Sequence, residues 1–387
     1  MRKVYTILFV CIYLIMTTAC SEKNTTQRKR DNFSGLILTA NENRKENLCF
    51  NDLIDSAKIV RLETTPESQF GDITKMEILN DTIIIFDSKN QMLLTFELNG
   101  KFLGKLGQKG KGPNEYINIR NIAIDRIKNE ILLLDDKNLK IFHFTSSGKF
   151  LFIEDAEVYP HDLAATNGQV FYFQNQSSYY FGGKVKDDLL LTKDGKILIK
   201  DFPFEKENYT FTYPLNRVFY ELNDTICFID KWNSAVYSIS NNKIIPRFQI
   251  DFNGNEIPLE FTQSEELFDL YSKKYSYLFD YIIENETYIY FSYLNKGKLK
   301  KTIYNKKQNI YYNFSNKKDN SDMYASTFSP IYSFNDFYIS VIPAHLLKHE
   351  KFRTMFNVNG LENIISKTNF SDNVLLSFCW FKPIIKK

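Results

Sequence analysis

Apolar and polar positions alternate in short blocks along most of the chain. Residues 78–106 read ILNDTIIIFDSKNQMLLTFELNGKFLGKL, and residues 123–153 read AIDRIKNEILLLDDKNLKIFHFTSSGKFLFI. Each stretch holds an apolar run ending in Asp, a polar turn, a second strand, a Gly turn and a further strand. Asp87 matches Asp135 and Gly100 matches Gly148, both at an offset of 48 residues. Asn99-Gly100 and Ser147-Gly148 are hairpin signals, because Gly accepts the positive φ that a tight turn needs. Weaker copies follow. Residues 168–202 repeat the strand pair with Asp194-Gly195 as the turn, and residues 222–252 repeat it with Asn223-Asp224, Asp230 and Asn241-Asn242 in turn positions. Residues 288–314 and 331–342 are more divergent strand groups.

Four antiparallel strands in about 40–50 residues make one propeller blade. A blade cannot bury both faces alone, so blades pack side by side and close. The pattern therefore predicts an all-β fold, a six-bladed β-propeller over residues 48–387, with seven blades as the alternative. A length of 387 residues would otherwise suggest two or three domains, but a closed array uses the whole chain as one.

Two segments break the strand rhythm. Thr262-Gln263-Ser264-Glu265 has the form of a capping box, and Leu267, Leu270, Tyr271, Lys274, Tyr275, Leu278 and Ile282 follow at helical spacing. Residues 344–356 give a second predicted helix. Both are expected as insertions on one face or an outer edge.

The N-terminus has a different character. Arg2 and Lys3 precede a mostly apolar stretch over residues 4–16, shorter than the roughly 20 residues that span a bilayer. Thr17, Thr18, Ala19 and Cys20 follow. This is the layout of a secretory signal over residues 1–19. The Cys after Ala19 resembles the lipobox of bacterial lipoproteins, which implies acylation of Cys20 and a membrane anchor. Thr17 stands where the lipobox usually has Leu, and a plain cleaved signal is the alternative. Residues 20–47 are polar and charged, with Arg28-Lys29-Arg30 in a row, and read as a flexible tether.

Composition sharpens this picture. The chain holds 34 Phe and 24 Tyr, apolar mass that suits pleated, half-buried strands. The formal charge is +3, and +1 once Arg2 and Lys3 leave with the signal. Nucleic acid needs a basic stripe, so it is not an expected partner. Cys49, Cys227 and Cys379 remain after the leader without CxxC spacing, which argues against a zinc site. They read as small buried thiols, with a Cys49–Cys379 disulfide as the alternative.

A family resemblance rests on the lipoprotein leader together with LETTPES at residues 62–68, FELNGKFLGKLG at 96–107, GKGPNEY at 110–116 and the terminal SDNVLLSFCWFK. The chain resembles the six-bladed β-propeller lipoproteins of Gram-negative anaerobes, related in fold to NHL-repeat propellers. The family's loop usually has Gly where this chain has Asn114. The resemblance implies fold and export to the cell envelope as an outer membrane lipoprotein, on its periplasmic face or at the cell surface. It implies no reaction and no catalytic residues.

Motifs for chemistry fail on detail. Gly107–Gly112 lacks the Lys-Ser/Thr and following helix of a phosphate loop, and Glu115 occupies the third Gly position of a dinucleotide fingerprint. His345 and His349 share a predicted helix face, but Leu346 stands where a zincin needs Glu. His143 reads as structural. Thr192-Lys193-Asp194-Gly195 begins like a sialidase Asp-box, but no Trp follows. No GxSxG elbow occurs. No motif calls for a cofactor or a metal.

The reading is a ligand-binding or protein-interaction module, because propellers gather loops at the two ends of the channel. Glycans, peptides or a partner protein are the expected ligands. Glu115, Tyr116, Arg120, His161 and Asp162 are the candidate ligand-binding residues. One repeat separates Arg120 from His161, so they should share a face on neighbouring blades. The alternative is a propeller enzyme, a lyase or glycoside hydrolase, with catalytic groups scattered over several blades of the central funnel.

Overall fold

The repeated hairpins fold as six sheets in a computed structural model. It describes residues 33–40, 54–156, 158–175, 185, 187–194, 196–203, 217–258, 265–313, 329–334, 337–347 and 360–381. Blade 1 spans residues 75–105, blade 2 residues 119–155, blade 3 residues 162–203, blade 4 residues 219–251 and blade 5 residues 276–313. Each is an antiparallel meander of four consecutive strands. The sixth blade joins the two ends of the described chain: Pro330–Phe334, Phe337–Ile342 and Leu375–Phe381 are completed by Ile54–Arg61. The protein is a six-bladed β-propeller, and the seven-blade alternative falls.

Burial decreases from the axis outward. The first strand of blade 1, Lys75–Leu79, is buried at every position, and the second, Thr82–Asp87, at all but its first. The fourth, Phe102–Lys105, alternates between half-buried and exposed. Strands buried on both faces need near-continuous apolar runs, which is why TIIIFD and EILLLD lost the strict period of two. Ile83, Ile84, Ile85 and Phe86 are at most 1% exposed, and each contributes about 1.5–3 kcal/mol by leaving water.

The repeated Asp has a structural task. Asp87 accepts the N–H groups of Lys89 and Asn90, the Asn90 amide at 2.8 Å, and the Gly71 N–H of the incoming crossover at 2.7 Å. Asp135 does the same for Lys137, Asn138 and the Ile117 N–H. Asp230 repeats the turn with Trp232 and Asn233. The signature is Asp-x-x-Asn between the second and third strands. Hydrogen bonds from backbone and Asn amide donors offset the cost of burying these carboxylates.

Closure is a long antiparallel pairing. Ala57 lies opposite Cys379, Ile59 opposite Ser377 and Val60 opposite Leu376. Asn373 reinforces it by donating to the carbonyls of Glu63 and Ser68, each at 3.0 Å. Cys379 and Cys227 are buried thiols; Cys49 lies outside the described residues.

Some local expectations need correction. Within the stretch read as a tether, Leu36–Thr39 forms a strand that pairs in parallel with the outer edge of blade 4, Leu36 opposite Phe248 and Thr39 opposite Asp251. The helix expected to run to Ile282 covers only Glu265–Ser272. Leu278 and Ile282 belong to a strand, Ser276–Glu284, whose bulge shifts the register between them. That extra length mimicked helical spacing. Thr262–Ser264 of the capping box lie outside the described residues. The second predicted helix is described at Ala344–Leu347, and a third short helix, Leu361–Ser366, was not predicted.

Candidate functional site

Each inner strand begins at one end of the channel and finishes at the other. Two sets of hydrogen bonds mark these ends. At the starting end, Asp162 gathers donors from three blades: Lys75 Nζ at 3.3 Å, Asn121 Nδ2 at 2.7 Å and the Val218 N–H at 2.9 Å. At the finishing end, Arg126 gathers acceptors: Nε donates to Glu221 at 2.7 Å, Nη2 to the Tyr332 hydroxyl at 2.8 Å, and Nη1 to the Ile78 carbonyl. Arg120 stands at the start of the blade 2 inner strand and Arg126 just after its end, roughly 20 Å apart at about 3.3 Å per residue.

The finishing end opens as a funnel of about 1100 Å³. Its floor is built from acids set on mostly apolar inner strands. Glu77 comes from blade 1, Glu221 from blade 4 and Glu284 from blade 5. Arg217 reaches Glu77 at 3.2 Å, donates to the carbonyls of Phe219 and Ile331, and lies 5.7 Å from the Tyr332 ring. Glu284 accepts from the Tyr220 hydroxyl at 2.6 Å and pairs with Arg247 at 2.6 Å and Lys306 at 2.8 Å. Tyr288, Trp380 and Phe381 add aromatic wall.

Charge at the floor is finely divided. Burial raises the Glu221 carboxyl to about 7; Arg126 opposes this, while Glu77 and Asp224 reinforce it. Burial acts against the Arg126 cation, but Tyr332, Glu77 and Glu221 hold it more firmly protonated than usual. Burial thus leaves the Glu221 carboxyl able to carry a proton near neutral pH even beside Arg126. The rim is less balanced. Asp55 and Asp224 are exposed and in no ion pair among the described residues, and Glu286 accepts only from Asn223, at 3.3 Å. Lys307 is the rim's cation.

The funnel was missed because its charges are scattered along the chain from residue 55 to residue 307. A local signal existed: Glu77, Glu221 and Glu284 each stand just before the first hairpin of a blade, ahead of Asn80-Asp81, Asn223-Asp224 and Asn285-Glu286.

The residues expected to bind ligand divide into two groups. Glu115 and Tyr116 fold into the crossover between blades 1 and 2. The Glu115 carboxylate accepts the Gly112 N–H at 2.7 Å, and a Cβ on Gly110 would lie 1.9 Å from it. The glycines make room for the loop's own anion, so the loop has no vacant phosphate cradle. Tyr116 is buried and donates to the Gln91 carbonyl at 3.0 Å. Arg120, His161 and Asp162 all lie toward the starting end, with Arg120 near enough to act electrostatically on the imidazole. Asp162 is fully buried and spent on bracing. Arg120 is exposed. The His161 N–H donates to the Phe173 carbonyl at 2.7 Å, and its Nδ1 is buried without a partner. Burial first, then Arg120 and Lys231, lower its imidazole to about 3 against a smaller opposing effect of Asp162. Cys20 and His349 lie outside the described residues; His345 is exposed on its short helix. His143 is buried in blade 2, with Nδ1 2.9 Å from Glu130. Among the described residues no His, Cys, Asp and Glu side chains group to hold a metal.

Residues 36–379 match the model of a family described as a domain of unknown function, DUF4934. No curated protein matches. A Bacteroides fragilis protein described as exported superposes with a TM-score of 0.75 at 20% identity, over 89% of this chain and 99% of its own. A DUF4221 family member from Bacteroides vulgatus superposes at 0.48 with 8% identity, over 85% of this chain and 97% of its own. The first of these shares the fold.

Proposed function

The chain belongs to the DUF4934 family, and from that premise we propose that it is an exported, lipid-anchored binding module of the cell envelope whose ligand sits in the finishing-end funnel. The observation that carries the reading is the funnel itself. Blades 1, 2, 4 and 5 contribute a floor of paired charges beneath an open, aromatic-walled space of about 1100 Å³. Such a site offers a few fixed polar groups among apolar surface, which is how binding pockets orient a ligand. It suits a glycan or peptide segment. Bracing alone would not need so wide a mouth.

Export is supported by the leader and by the description of the Bacteroides fragilis protein as exported, and anchoring by the leader alone. The anchor is Cys20, and the location is the outer membrane. Cys20→Ser should move the protein from the membrane fraction to the soluble fraction on fractionation. Equal membrane retention of the mutant contradicts the anchor.

The funnel is tested by plugging it. Thr287 lines the mouth and is half-buried. Thr287→Trp should abolish capture of ligand from arrayed glycans and peptides while leaving the urea midpoint unchanged. Capture by the plugged variant at wild-type affinity refutes the site.

A second reading draws on Glu221. A carboxyl raised to about 7 beside a tyrosine and an arginine can hand over a proton at neutral pH. In that case the funnel is the active site of a lyase or glycoside hydrolase. Glu221→Gln separates the two. A binding module keeps its ligand unaltered in both forms. An enzyme releases altered ligand only as wild type.

A further inference from the structure

The starting end of the channel, opposite the funnel, has a polar cluster that the funnel reading does not use. Two side chains meet the Phe173 ring. His161 meets it edge-on, with centroids 6.2 Å apart. Lys231 Nζ lies 5.2 Å from its centroid and also donates to Asn175 Oδ1. Gln174 and Asn175 follow Phe173 in the turn after the second strand of blade 3. Arg120, at the start of blade 2's inner strand, acts electrostatically on His161 from the solvent side.

Three polar atoms here are buried without a partner: His161 Nδ1, Asn175 Nδ2 and Gln174 Oε1. Asn175 is 4% exposed and Gln174 0%. Leaving such atoms unmade costs free energy, and native proteins keep them at few places, functional sites among them. The nearby acid does not relieve them. Asp162 is already saturated by Lys75, Asn121 and the backbone N–H groups of Leu163 and Val218. The cluster holds two cations, an unused amide donor and an imidazole that stays neutral. A neutral imidazole with its proton on Nδ1 is also a donor.

We propose that the starting-end mouth is a second binding site, where Arg120, His161, Asn175 and Lys231 hold the oxygens of a carboxylate or phosphate group. Asn175 Nδ2 and His161 Nδ1 would donate to the anion's oxygens, and Arg120 would cover it from solvent. Charge-assisted hydrogen bonds of this kind are the strong ones. The site is independent of the funnel, because it lies at the other end of the inner strands.

Asn175→Asp is the sharp test. Asn175 has φ of 48°, a left-handed conformation that Asp tolerates. The new carboxylate would pair with Lys231 and fill the site with its own charge. Full-length protein in detergent is titrated with sodium phosphate and, separately, sodium acetate, at ionic strength matched with chloride. The proposal expects saturable binding of at least one probe, weakened about tenfold or more by Asn175→Asp while the melting temperature holds or rises. The tighter probe tells a phosphate from a carboxylate ligand. If Asn175→Asp fails to fold, Arg120→Gln at an exposed position replaces it and is expected to weaken binding severalfold. No saturation by either probe overturns the proposal, as does unchanged affinity in the folded variant.

Discussion

A chain ending at Asn373 is expected to lose the cooperative fold and to be recovered as insoluble material. The deletion removes Leu375–Phe381, in which Leu375, Leu376, Phe378, Cys379 and Phe381 are all at most 8% exposed. Five such side chains at about 1.5–3 kcal/mol each approach the whole stability of a domain, about 5–15 kcal/mol. The loss is topological as well. Ile54–Arg61 and Phe337–Ile342 would each lose the partner between them, leaving two open edges in the closing blade. Solubility and near-ultraviolet circular dichroism during a thermal scan measure the outcome. A soluble truncation that melts in one sharp transition contradicts closure through this strand.

Arg126→Ala is expected to be the most damaging single change in the funnel. It strips hydrogen bonds from Glu221, Tyr332 and the Ile78 carbonyl, and removes an ion-pair partner of Glu77 at 3.8 Å. Removing one side of a buried pair costs about 3–5 kcal/mol. Here the side chains keep some exposure, 20% for Arg126 and 17% for Glu221, and Glu221 can take up a proton, so about 2–3 kcal/mol is expected. Arg126→Lys should not restore stability, since a point charge cannot replace a planar fork with three targets. Arg126→Met combined with Glu221→Gln should be more stable than Arg126→Met alone. Urea midpoints of the four variants and the wild type decide it. An Arg126→Ala midpoint equal to wild type contradicts the network.

The fold was largely legible because its repeat lies close in sequence. The Asp-x-x-Asn turns and Gly turns of blades 1 and 2 fall at one offset, and each marks a hairpin formed by neighbours in the chain. Closure was legible from two unpaired apolar strands at the ends. Leu36–Thr39 was not, since four residues in a polar stretch carry no period, and their pairing partner lies more than 200 residues away. The helix was overextended because a bulged, aromatic strand places Leu278 and Ile282 four residues apart. The site is the harder case. Asp162 and His161 were found as polar residues at a blade start, but their roles diverged on atoms the sequence does not show. Asp162 is saturated by donors from blades 1, 2 and 4, whereas His161 Nδ1 has none. The funnel's acids are one per strand, and only closing the ring brings them together.

The most direct test of the central claim is where a captured ligand leaves its footprint. Full-length protein in detergent, with and without the best ligand from the glycan and peptide arrays, is followed by amide hydrogen exchange. The account predicts slower exchange on binding in residues 220–224, 284–288 and 305–308, the loops that ring the funnel. Protection confined to the starting end or to the outer blade edges, with these three loops unchanged, would contradict it.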